Sequence, residues 1–232
     1  MLRKDNFSIM KKVLLFVATV MLLGSASTQD FQKEIFGVRA GLNLANINTN
    51  LDLFANFESK PSFNVGFSYE RLILNDKPIY LETGLLYSNK GYKYTEVDYD
   101  EVYDTKASLS YLELPLMVNY KLNIGNGISV YPSAGVYYAF AFAGKEREVF
   151  KEEDSDGDIY KEIYISDCFG KHGIFKRSDF GYRVSASASY KKYVLSVGYE
   201  GSLLNIAKTE ADDELNAEIK NSNLFISLGY NF

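Results

Sequence analysis

Period-two alternation of apolar and polar residues recurs in eight separate segments, and nothing else in the chain restricts its fold as much. The segments lie at about 35–47, 61–72, 79–91, 107–121, 128–143, 179–190, 193–203 and 223–232. The fourth sets Leu112, Leu114, Leu116, Val118 and Tyr120 against Glu113, Pro115, Met117, Asn119 and Lys121. The eighth sets Leu224, Ile226, Leu228, Tyr230 and Phe232 against Phe225, Ser227, Gly229 and Asn231. Such alternation gives a strand two unlike faces. The richest apolar run past the N-terminal region, Ala134 to Ala143, is far short of the ~20 residues of a spanning helix.

A soluble sandwich also alternates, so the composition of each face matters. The second face here is small, polar or charged and rich in Gly and Ser, as side chains crowded into a narrow closed lumen require. The apolar face places Tyr69, Tyr87, Tyr120, Tyr190, Tyr199 and Tyr230 near strand ends, like the interfacial girdles of membrane barrels. With 19 Tyr, 16 Phe and only 4 Pro, the whole chain favours strands over helices. A closed barrel is the sheet that survives in lipid, because it has no unpaired edge. The connections alternate in length. Those at 74–77, 123–127 and 191–192 are short; those at about 48–60, 92–106, 144–178 and 204–222 are long. Short periplasmic turns and long outer loops give that rhythm. The expected fold is therefore all-β, an eight-stranded antiparallel up-and-down transmembrane barrel in a bacterial outer membrane, with both termini on the periplasmic side.

The N-terminal region fits export. Lys11 and Lys12 precede the apolar stretch Val13 to Leu23, and the small residues Gly24, Ser25 and Ala26 follow, so residues 1–26 read as a signal peptide and 27–232 as the barrel domain. The net charge of the whole chain is -5. Cleavage removes Arg3, Lys4, Lys11, Lys12 and Asp5, leaving a mature chain near -8, which argues against nucleic acid as a partner. The single Cys, Cys168, rules out an intramolecular disulfide framework.

Three stretches carry a family resemblance. They are Gly37-Val38-Arg39-Ala40-Gly41-Leu42-Asn43-Leu44-Ala45-Asn46, Tyr111-Leu112-Glu113-Leu114-Pro115-Leu116 and the closing Gly229-Tyr230-Asn231-Phe232. From about residue 35 to the end, the chain resembles the PorT-like outer-membrane β-barrel family of the Bacteroidota. In architecture it is similar to the OmpA and OmpX barrels. The resemblance implies a barrel fold and an outer-membrane place; a role in protein secretion belongs to the family's founding member.

Seven charged residues fall on inward positions: Arg39, Glu70, Glu82, Glu113, Lys121, Arg183 and Glu200. Eight strands enclose space that side chains can fill, so these charges are expected to form a neutralising plug in place of an ion path or catalytic group. Arg183 and Glu200 stand almost equally far from the Lys191-Lys192 turn and should face each other. Glu70 and Glu82, like charges near one turn, need Arg39 or Lys121 beside them. In the longest loop, Asp154-Ser155-Asp156-Gly157-Asp158 resembles the start of a calcium loop. Ile159 stands in place of its Gly and Ile165 in place of its bidentate Glu, so a solvated acidic loop is the better reading. His172, the single His, has no partners spaced for a hydrolase.

No metal, cofactor or catalytic residue is therefore expected. The expected function is that of a non-enzymatic outer-membrane barrel, structural or surface-binding, presenting long acidic loops. The alternative is transport or secretion, as a small channel or an accessory of a translocon. The expected partners are outer-membrane lipid, the barrel-assembly machinery reading Tyr230 and Phe232, and a protein or surface ligand at the loops.

Overall fold

The computed structural model of the chain describes residues 32–50, 57–74, 77–98, 101–153, 159–171, 173–208 and 218–232. The signal segment, Asp154 to Asp158 and His172 lie outside them. The strands are β1 (Glu34–Thr49), β2 (Phe57–Glu58), β3 (Lys60–Leu72), β4 (Ile79–Asp98), β5 (Glu101–Tyr120), β6 (Leu122–Gly125), β7 (Ile128–Glu153), β8 (Ile159–Asp167), β9 (Ser178–Tyr190), β10 (Tyr193–Ser202) and β11 (Ile219–Asn231).

Eight of them close a ring. In chain order β1, β3, β4, β5, β7, β9, β10 and β11 pair antiparallel with their neighbours, and β11 returns to β1 over a register from Gly37 opposite Asn231 to Thr49 opposite Ile219. This is the expected all-β barrel. The alternating residues sort as the two faces require. Leu42, Phe67, Leu114 and Leu228 are among the exposed apolar side chains of the outer surface, while Asn43, Glu70, Glu113 and Ser227 on the opposite parity are buried. Burying apolar side chains in lipid at about 25 cal/mol per Å² is what makes that exposure favourable.

The turns at the terminal end are tight. Asn126 and Gly127 between β6 and β7, and Lys191 between β9 and β10, take positive φ (53°, 75° and 53°), a left-handed conformation that Gly and Asn adopt at least cost.

Two of the expected outer loops are not loops. The stretch 92–106 continues β4 and β5 as a hairpin, with Tyr92 opposite Ala107 and Val97 opposite Val102. Most of 144–178 is likewise the outer half of β7 paired with β8, Lys145 opposite Asp167 and Glu152 opposite Tyr160. The charged residues there read as irregular backbone in the sequence, but Lys145-Glu146-Arg147-Glu148-Val149-Phe150-Lys151-Glu152 alternates in charge sign on either side of Val149-Phe150 and satisfies a strand with no apolar face. β5 also pairs the outer half of β7, so β4, β5, β7 and β8 form an arm rising out of the barrel. Where the arm leaves the barrel, the β5–β7 register shifts by one residue: Tyr111 faces Ala141, yet Ser110 faces Ala143.

Candidate functional site

Every inward charge foreseen in the sequence lies inside the ring, and the lumen divides into three levels. At the terminal end Glu70 and Glu82 are cross-strand neighbours on β3 and β4. Their repulsion is offset from several sides. Lys121 Nζ lies 2.6 Å and Arg39 Nη2 3.5 Å from Glu70. The Asn119 amide donates to both carboxylates, at 3.2 Å to Glu70 and 2.6 Å to Glu82. Lys121 also stands 4.7 Å from the ring centre of Tyr80 and 5.0 Å from that of Tyr131, inside cation–π range.

The middle level holds Arg183 directly opposite Glu200, with Nη1 2.5 Å from Oε1. Glu200 has two further partners, Lys90 Nζ at 3.2 Å and the Asn223 amide at 3.1 Å. Lys90 lies fully buried between Glu200 and Glu113, 2.6 Å from Glu113 Oε1, a charge contact off the hydrogen-bonding angle. The Tyr137 ring covers Lys90 at 4.2 Å. Asp179, also fully buried, accepts from Ser202 Oγ at 2.5 Å, the Asn221 amide at 2.9 Å and the Tyr137 hydroxyl at 3.3 Å.

Lys90 and Asp179 are additions to the sequence reading. Both were legible by parity: Lys90 follows Glu82, Leu86 and Ser88 on the inward face of β4, and Asp179 precedes Gly181 and Arg183 on β9. The inward bases Arg39, Lys90, Lys121 and Arg183 then face the acids Glu70, Glu82, Glu113, Asp179 and Glu200, so mutual pairing extends deeper than the first seven residues suggested. A further inward base, Lys60 of β3, is buried and donates to Asn89 Oδ1 at 2.6 Å and Lys90 O at 3.1 Å.

Between the two charged levels lies a cavity of about 40 Å³, lined by Arg39, Asn64, Ser68, Glu82, Arg183 and serines of β9 to β11. That is room for on the order of two or three waters, with polar partners on its walls.

The outer level departs from the expected polar lumen. Ile47, Tyr92, Leu109 and Tyr111 of the strands pack against Cys168, Phe169, Phe175 and Ile206 of the connections, forming the apolar cluster of the molecule. Backbone bonds hold this lid in place: Cys168 N donates to Gly144 O at 3.1 Å, Lys176 N to Ile206 O at 2.7 Å, and Ile206 N to Ile219 O at 2.9 Å. A Cβ at Gly144 would come within 2.4 Å of the Phe169 ring, so only Gly admits that ring against the β7 backbone. Sequence reasoning missed the lid because Phe169, Phe175 and Ile206 sit singly in polar connections and show no periodicity. Cys168 is 2% exposed; burial, with Glu146 and Asp167 nearby, pushes its thiol up to about 12.

At the strand end opposite the arm, Phe232 N donates to Phe36 O at 2.8 Å, and the rings of Tyr230 and Phe232 lie 5.8 Å apart. Among the described residues no three His, Cys, Asp or Glu side chains converge as a metal site would require.

No curated protein sequence matches the chain. Solved structures with a similar course include the outer membrane protein OprG from Pseudomonas aeruginosa, at 14% identity and TM-score 0.45, covering 89% of this chain and 99% of that one. Ail, the attachment invasion locus protein of Yersinia pestis, matches at 14% identity and TM-score 0.37, covering 87% and 100%. Neisserial surface protein A matches at 12% identity and TM-score 0.40, covering 85% and 97%. Residues 28–208 match the family described as outer membrane protein beta-barrel domain. With that match over most of its length and a closed ring of eight strands, the chain belongs to the outer membrane protein beta-barrel domain family, and its place is the bacterial outer membrane.

Proposed function

We propose that this protein is a non-enzymatic structural and surface-binding component of the outer membrane, with a closed lumen and the β4–β5–β7–β8 arm as its working surface. The observation that carries this reading is the stack inside the ring: two charged levels whose residues Glu70, Lys90, Glu113 and Glu200 are at most 1% exposed, under an apolar lid. Carboxylates so enclosed have no route to a substrate. The arm carries exposed Tyr103, Tyr160, Ile163 and Tyr164, and β8 pairs only with β7 among the described strands, leaving one edge open to a partner.

In this reading outer-membrane lipid covers the apolar belt, and the barrel-assembly machinery reads the terminal Tyr230 and Phe232. An accessory role in secretion, the role of the founding member of the PorT-like family that the chain resembles, would use the same arm to hold a translocon component and needs no open pore. The test is conductance: protein reconstituted in planar bilayers is expected to show no stable ion current. A well-defined open channel would overturn the closed lumen and put transport first.

A further inference from the structure

The arm has two faces of opposite charge. Beyond the register shift, Glu146, Glu148 and Phe150 of β7 stand over the barrel mouth, with the Tyr92 hydroxyl on Glu146 and the Tyr103 ring 4.9 Å from Phe150. Lys145, Arg147 and Lys151 take the other face, which continues the lipid-facing surface of the barrel. Lys93 and Lys106 join them from β4 and β5, and Lys161 from β8. In direct register, Lys93 faces Lys106 and Lys106 faces Arg147, while Lys151 faces Lys161.

Like charges directly opposite one another destabilise a sheet. Among the described side chains three acids share this face: Glu58 opposite Lys93, Asp167 opposite Lys145, and Asp104 one row further out. None comes within ion-pair distance of the six bases among the described residues. The row Lys93–Lys106–Arg147 stands three rows above Tyr87, Leu112 and Phe140, the last apolar row of the belt. At two residues per row, that is ~20 Å along strands tilted by ~40°, a rise of ~15 Å, which sets the row about one Lys side chain's length beyond a headgroup layer ~5–8 Å thick and within its reach when the arm leans onto the membrane.

We propose that this lipid-side face of the arm binds the phosphate groups of outer-leaflet lipid headgroups. The leaflet supplies the missing counter-charge in a plane, where the row can meet it along its length, and binding holds the arm down along the membrane surface. Nothing in this surface depends on whether the lumen conducts.

The test uses the full barrel in nanodiscs of phosphatidylcholine with and without phosphatidylglycerol. The ratio of the two lipids that stays with the protein on release is read by native mass spectrometry. The wild type should retain phosphatidylglycerol in excess. Lys93→Gln/Lys106→Gln/Arg147→Gln should lose roughly fivefold in that preference for each cation removed. Lys93→Arg/Lys106→Arg should keep it, as should Lys191→Gln/Lys192→Gln at the opposite end. Wild-type preference in the triple glutamine variant, or equal loss in the Lys191/Lys192 variant, would overturn the proposal. So would displacement of the lipid by inorganic phosphate at matched phosphate concentration, since that would mark a free-anion site.

Discussion

Lys90 decides more than any other side chain in the lumen. It touches Glu113 and Glu200 together and has no exposed surface, so removing it strands Glu113 in a medium that cannot hydrate it and leaves Glu200 with Arg183 and Asn223 alone. Lys90→Met should cost ~3–5 kcal/mol by urea titration in detergent, and adding Glu113→Gln should recover a good part of that. Arg183→Ala should cost less, ~1–3 kcal/mol, because Glu200 keeps Lys90 and Asn223 and Arg183 reaches partial exposure. Equal losses for the two variants would show that the network does not centre on Lys90. Cys168, with its thiol buried and held protonated, should not react with maleimide in the folded protein. At this scale the sequence was readable wherever period-two parity applies: Arg183 opposite Glu200 follows from counting back from one turn. The apolar lid was not, because its parts lie in connections without a repeat and meet only once the ring has closed.

The elements divide into a barrel, a lid and an arm, and each can be perturbed alone. Phe169→Ala removes the ring seated on Gly144 and should ease local opening of the lid by about 3 kcal/mol, raising the rate of Cys168 labelling on the order of a hundredfold. Gel migration of the unboiled barrel should not change, since no strand of the ring loses a pairing. A labelling rate equal to that of the wild type would mean the lid does not depend on Phe169. The arm tests orientation: Tyr160→Cys on whole cells should react with a membrane-impermeant maleimide, and Lys191→Cys at the opposite end should not. The reverse pattern would invert the topology. Strand positions in the sequence were accurate within the belt, where apolar alternation marks them, but they stopped short outside it. There the alternation continues in charge sign instead of hydropathy, and a charged stretch such as 144–153 reads as loop to an eye trained on apolar residues.

For the whole molecule, closure depends on β11 meeting β1, and Phe232 is bonded at the end of that seam. Phe232→Asp should lower the amount of protein that reaches the outer membrane and migrates faster unboiled than boiled; full assembly of the variant would remove Phe232 from the assembly signal. The register shift between Ser110 and Tyr111 has a consequence for the molecule as an electrical object. Side chains of a strand change sides with each residue, so a single extra residue exchanges everything that follows. Counted without interruption from Phe140, the string Lys145 to Glu152 would send its acids toward the lipid and its bases over the mouth. One bulged residue reverses this, turning negative charge toward the barrel axis and positive charge toward the membrane plane. The polarity of the exposed half of this protein is thus set by an insertion of one backbone unit, a frame shift written in strand geometry that leaves every charge in the sequence unchanged.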